Sequence, residues 1–164
     1  MLKRRFFLFG VLASGLAACS SKFKSYRGPQ VTRVVVQKGQ RKVYLMSGGD
    51  VIRSYDMGMG WAPQGHKQFE GDGKTPEGIY FIDRRNPNSN YHLSVGISYP
   101  NRRDYENAVS QGRKPGGDIF IHGEGGKRTS PKRDWTAGCI AVKDKEIEEI
   151  YAMVREGTPI HINV

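Results

Sequence analysis

Beyond residue 30, apolar and polar positions alternate with a period of two over most of the chain; a helical period is clear once, near the end. Residues 31–37 are apolar and β-branched, and Lys38-Gly39-Gln40 turn the chain. Residues 41–46 return with Val43 and Leu45 on one face and Lys42 and Tyr44 on the other. A Ser-Gly-Gly-Asp turn at 47–50 leads into a third strand over 51–57, so the segment predicts a β-meander. Residues 58–78 form a long Gly- and Pro-containing loop, a length that in ordered proteins usually serves function. A short strand over 78–83 and a turn-rich link over 84–90 follow. Over 91–99, Tyr91, Leu93, Val95, Ile97 and Tyr99 share one face, and His92, Ser94, Gly96 and Ser98 the other. The pattern then predicts a short helix over 104–110, a strand over 118–122 and a glycine-rich basic loop to 132. Ile147, Ile150, Tyr151 and Val154 recur at helical spacing and predict a helix over 144–156. Asp144 is its expected cap, Glu146 and Glu148 lie near its positive end, and Gly157 stops it. A last strand over 159–164 puts Ile160, Ile162 and Val164 on one side. The sum is a mostly β domain over 31–164, a mixed sandwich or barrel-like fold with one or two short helices.

The first thirty residues follow a different pattern. Lys3, Arg4 and Arg5 precede an uncharged apolar stretch over 6–16 and then small residues, which reads as an export signal over 1–18. A retained anchor helix is the alternative, disfavoured by the short apolar length. Leu16-Ala17-Ala18-Cys19 is similar to a bacterial lipobox, which implies acylation of Cys19 and removal of what precedes it; cleavage after Ala18 without lipid is the other reading. Ser20 is not acidic, which by the same likeness points to the outer membrane. Residues 19–30 then serve as a polar tether, and the expected location is the cell envelope, facing the periplasm.

Charge changes the picture modestly. The net charge is +10 over 164 residues, and removing Lys3, Arg4 and Arg5 lowers it without reversing it. Such a balance suits an anionic surface or a carboxylate-rich polymer. Export argues against nucleic acid, as does the lack of basic runs interleaved with aromatics.

Cysteine usage changes it more. The chain has two cysteines, Cys19 and Cys139. If Cys19 carries lipid, Cys139 has no partner, and an unpaired thiol in an exported protein is a candidate nucleophile; a buried inert cysteine is the bland reading. A thiol attacks as thiolate and needs a base or a positive field. Gly138 lets backbone N–H groups approach a carbonyl oxygen and hold an oxyanion. Four histidines could supply the base. His66 in the long loop and His161 on the last strand read as surface residues. His92 faces the small-residue side of its strand and could line a groove. His122 closes the apolar run Ile119-Phe120-Ile121, a rigid place from which to aim a base. Its expected effect is a sulfur that is anionic near neutrality. No spaced set of further ligands favours a zinc site, and no cofactor is implied.

Ile-Phe-Ile-His-Gly at 119–123, a spacer over 124–135, and Thr136-Ala137-Gly138-Cys139 before a helix together resemble the L,D-transpeptidase catalytic domain, the YkuD domain. Residues 71–82 resemble that family's Thr-Pro-x-Gly segment, and 43–55 its opening hairpins. Ala137 stands where the family motif has a second histidine, Ala141 where it has an arginine, and Asp144 where it has an asparagine. The resemblance implies Cys139 as nucleophile, His122 as base, the Gly123 carbonyl as its orienting group, and amides near Gly138 as oxyanion donors. Thr136 and Trp135 would border the substrate. The implied substrate is a peptidoglycan tetrapeptide stem: a thioester forms at diaminopimelate with release of D-alanine and passes to an amine. With water as acceptor the same site is a hydrolase, able to release a wall-linked protein. A wall-binding lipoprotein without activity is the remaining alternative.

Overall fold

A computed structural model describes residues 21–128 and 130–164. The expected signal over 1–18 and the acylation site Cys19 lie outside the described residues. Eight strands form one curled sheet in the order β3-β2-β1-β8-β4-β5-β6-β7, with two helices, so the mostly β, barrel-like expectation holds.

The opening meander is as the alternation predicts. β1 (Arg33–Gln37), β2 (Lys42–Ser47) and β3 (Asp50–Asp56) pair antiparallel in chain order. The last strand, β8 (Pro159–Asn163), returns parallel to β1. Register carries the apolar period across these strands: Val34 sits opposite both Leu45 and Ile160, and Val36 opposite Val43 and Ile162. All six are shielded from solvent, so one face of this half is continuous core.

β4 (Gly78–Asn86) joins the two halves. Its residues 78–81 pair with β8, and from Ile82 onward it pairs with β5 (Ser94–Ile97), with a register shift between Ile82 and Arg84. The strand expected over 91–99 is shorter than its alternation. His92 takes a left-handed backbone, φ 75°, which ends the extended run before Ser94. Both faces of β5 are covered, so its alternation does not mark a solvent side. Beyond it lie β6 (Phe120–His122), antiparallel to β5, and the two-residue β7 (Ile140–Ala141), parallel to β6.

Helix α1 (Arg102–Ser110) starts two residues before its expected start because Asn101 and Asp104 form a reciprocal capping box. Helix α2 (Asp144–Met153) packs Ile147, Ile150 and Met153 inward against β5 and β6. It stops before the expected Glu156 because Val154 turns extended. Asp144 is not its cap: the N-cap is Lys143, whose amide donates to Glu146 Oε2 at 2.8 Å. Asp144 is thereby free for another task at the site.

Candidate active site

The site follows from the register of the last three strands. Ile121 lies opposite Ile140, and both are fully buried in the core. By alternation Phe120, His122 and Cys139, one residue before β7, face the other way, as does Ser94 opposite His122. There they border a cavity of about 470 Å³, together with Tyr91, Asp118, Trp135 and Ala137. The sheet thus brings the candidate base and the candidate nucleophile, distant in sequence, to one cavity.

His122 is held on several sides. Its Nδ1 lies 2.6 Å from the Gly123 carbonyl oxygen. A carbonyl only accepts, so Nδ1 carries the proton and the lone pair is at Nε2. The Tyr91 ring lies 4.5 Å from the imidazole, and the Trp135 ring meets it edge-on at 5.9 Å. No side chain fits at Gly123: a Cβ there would sit 2.6 Å from Asp144 Oδ1 and 2.9 Å from Ile147 Cγ2. Asp144 Oδ1 accepts the amides of Glu124 at 2.7 Å and Gly125 at 2.8 Å, pinning the chain just past the histidine. Burial holds the imidazole below its ordinary pKa, opposed by its bond to Gly123.

Cys139 sits on a tight turn. The Thr136 hydroxyl donates to the Cys139 carbonyl at 2.6 Å and accepts the Gly138 amide at 3.2 Å. Thr136 therefore shapes the turn from beneath, and the Gly138 amide, expected as an oxyanion donor, is already engaged. Gly138 has φ 139°, and a Cβ there would lie 2.7 Å from the Lys74 carbonyl oxygen, so the position admits only glycine.

The thiol itself donates to the Asp118 carbonyl at 3.4 Å, and no hydrogen bond joins it to His122. Burial pushes the Cys139 thiol up, as does the nearby Asp118 charge; a hydrogen bond from the Phe120 backbone and the charges of Lys67 and Arg84 oppose this. Burial disfavours charge on both partners, which runs against the expectation of a sulfur that is anionic near neutrality.

Three carboxylates fix the surrounding loops, two of which, Asp72 and Asp134, the pattern did not single out, while Asp144 was expected only as a helix cap. Asp72 binds the buried Lys67 Nζ at 2.9 Å and the amides of Gln68, Phe69 and Lys74. This sets the 67–74 segment whose Lys74 carbonyl packs on Gly138. Asp134 pairs with Arg41, 2.7 Å to Nη2, and accepts the Met59 amide. Residues 58–60 then bridge to Ala141 and Thr136. Asp144 is the third. Asp72 stands between Gly71 and Gly73, which reads as an ordinary turn, and Asp134 follows two basic residues in a loop, which reads as a solvated charge.

The other histidines lie elsewhere. His92 does not border the cavity; its Nε2 bonds Glu148 at 2.9 Å, because the left-handed backbone turns the ring toward α2. His66 is not a solvated loop residue: Nδ1 accepts the Glu77 amide at 3.0 Å and Nε2 donates to Asp104 at 3.1 Å. His161 is half-buried on β8. Among the described residues no group of three or more His, Cys, Asp or Glu could hold a metal, and no helix is long and apolar enough to cross a membrane.

Comparison with known proteins bears on the family and the fold. YafK of Escherichia coli (strain K12), named as an L,D-transpeptidase, is 32% identical over 92 residues, covering 55% of this chain and 32% of that protein. The crystal structure of Pgp2 of Campylobacter jejuni, a helical cell shape determining protein, superposes with a TM-score of 0.61 at 28% identity, over 84% of this chain and 49% of that one. Bd1075 of Bdellovibrio bacteriovorus gives a TM-score of 0.56 at 27% identity, over 81% and 48%. The chain thus matches about half or less of each relative's length. A sequence model of the L,D-transpeptidase catalytic domain, YkuD, matches residues 31–162, and the chain belongs to that family.

Proposed function

We propose that this protein is an envelope L,D-transpeptidase that acylates Cys139 with a peptidoglycan stem. The observation that carries this reading is the meeting of Cys139 and His122 on one cavity, with the imidazole tautomer set by Gly123. Nε2 of His122 takes the thiol proton as sulfur attacks the diaminopimelate carbonyl. The Cys139 amide donates to the oxyanion. Collapse breaks the bond to D-alanine, whose nitrogen receives the proton from His122. An amine acceptor then attacks the thioester, gives its proton to His122 and displaces the sulfur, which regains a proton. Burial disfavours charge on both the thiol and the imidazole, which favours a proton that moves with the attack rather than before it.

Water is the second acceptor, on a specific observation. Ala137 stands where the family motif has a histidine; it is exposed on the cavity wall and offers no polar side chain to position an amine. Acylation of Cys19 would tether the domain to the membrane beside its polymer substrate, and a wall-linked protein could be a second partner of the same site. Analysis of peptidoglycan fragments after incubation with the purified protein tests the reading. New crosslinks support transfer, and shortened or released stems support hydrolysis. An unchanged fragment pattern, with Cys139→Ala giving the same result, contradicts both.

A further inference from the structure

Asp118 is an oddity beside the sulfur. It is not a glycine, yet its backbone is left-handed at φ 54°, a conformation Asp tolerates better than most residues but still at a cost. Its carbonyl receives the thiol, while its carboxylate projects from the cavity mouth, 91% exposed. The charge also works against the nucleophile, since it raises the thiol further. The left-handed backbone favours Asp or Asn here, but neither it nor the sulfur calls for the charge. The Arg84 guanidinium holds Asp118 Oδ1 at 2.9 Å and lies 4.5 Å above the ring of Phe120, which itself borders the cavity. A second carboxylate, Asp83, also binds Arg84, at 3.2 Å. An anion on the cavity lining and a cation just outside it therefore lie side by side, each with bonding capacity left over.

We propose that Asp118 and Arg84 form a specificity subsite that reads the zwitterionic amino-acid end of a stem-peptide side chain, the carboxylate taking its ammonium and the guanidinium its carboxylate. This rests on the stem-peptide reading given above, and it deepens that reading by naming which end of the substrate lies at the mouth. A diamino-acid residue attacked at one centre leaves a free amine and a free carboxylate at the other, a charge pair complementary to Asp118 and Arg84. The subsite selects the substrate; it takes no part in bond making.

Binding and turnover separate the two claims. Calorimetry with Cys139→Ala protein compares a tetrapeptide stem carrying the free diamino-acid end with the same stem acetylated on that amine. The free form binds more tightly, about fivefold, a scale set by exposed charge pairs. Adding Asp118→Asn, which keeps a residue tolerant of the left-handed backbone, abolishes the preference while leaving binding of the acetylated stem as it was. Equal binding of the two stems, a preference that survives Asp118→Asn, or no binding of either stem overturns the subsite. D-alanine release by the unmodified protein is read in parallel. A clear binding preference without release retires the catalytic reading and keeps the subsite. Release without preference does the reverse.

Discussion

The β3-β2-β1-β8 half of the sheet and the β5-β6-β7 half face the same core but are shaped by different forces. In the first, β1 pairs with β2 over five residues, and apolar residues meet apolar residues in register. Many small, redundant terms set its geometry. In the second, β6 has three residues and β7 two. The loops around them are shaped by Asp72, Asp144 and Thr136, each making two or more bonds to backbone, and by Asp134, which joins the Met59 amide to the Arg41 side chain. The difference teaches that stability and reactivity are carried by different residues. Damage to the hairpin half should loosen the whole fold, and damage to a polar clamp should move the site.

The comparison breaks most readily at the two reacting groups. Cys139→Ala removes all labelling by a carbapenem, and His122→Ala slows it by about 10²–10⁴-fold, the range for losing a positioned base. Equal labelling of the parent and His122→Ala proteins would deny the pair any joint chemistry.

Next is the scaffold. Leu45→Ala deletes fully buried atoms and lowers unfolding free energy by about 2–5 kcal/mol in a denaturant titration. The labelling rate of the folded protein stays that of the parent. A large change in rate would show that the halves are coupled more tightly than their packing indicates.

Asp144→Ala is the opposite case. Two amides lose their acceptor, a cost of about 1–3 kcal/mol. Labelling slows more than the stability loss alone explains, and hydrogen exchange quickens at Glu124 and Gly125. Exchange that rises evenly over both halves would contradict a local clamp.

The smallest effect is that of pH. The His122 pKa in the fold lies below its unfolded value, so the unfolded state binds more protons as pH falls. Its contribution to stability is full above the ordinary histidine pKa of about 6.5 and is lost as pH falls through the folded value. The acid limb of the labelling rate, which needs the neutral imidazole, should also lie below about 6.5. A limb above that value would contradict the burial argument.

The hairpin half was readable because its one-sided burial writes a period of two directly into residues 31–57. The same rule misled over 91–99: β5 is covered on both faces, and the left-handed His92 breaks the run. Cys139 and His122 were readable as a thiol without a partner and a histidine ending an apolar strand. The effect of burial on their charge was not, because Tyr91, Trp135 and the long loops that surround them are placed by no local pattern. The clamps escaped for a related reason. Asp72 and Asp144 act through backbone amides in their own and neighbouring loops; Asp72, between two glycines, predicts a turn whether or not it holds one, and Asp144, before a helical run, predicts a cap. The expectation that Asp144 caps α2 failed because Glu146 satisfies the Lys143 amide, leaving Asp144 to the loop past His122.

The most direct test of the central claim is intact-protein mass spectrometry after brief exposure to a tetrapeptide stem. The account predicts a covalent adduct of stem minus D-alanine, mapped to Cys139 and strongly reduced in His122→Ala. Released D-alanine with the adduct on another residue, or an adduct at Cys139 that forms as fast without His122, would contradict it.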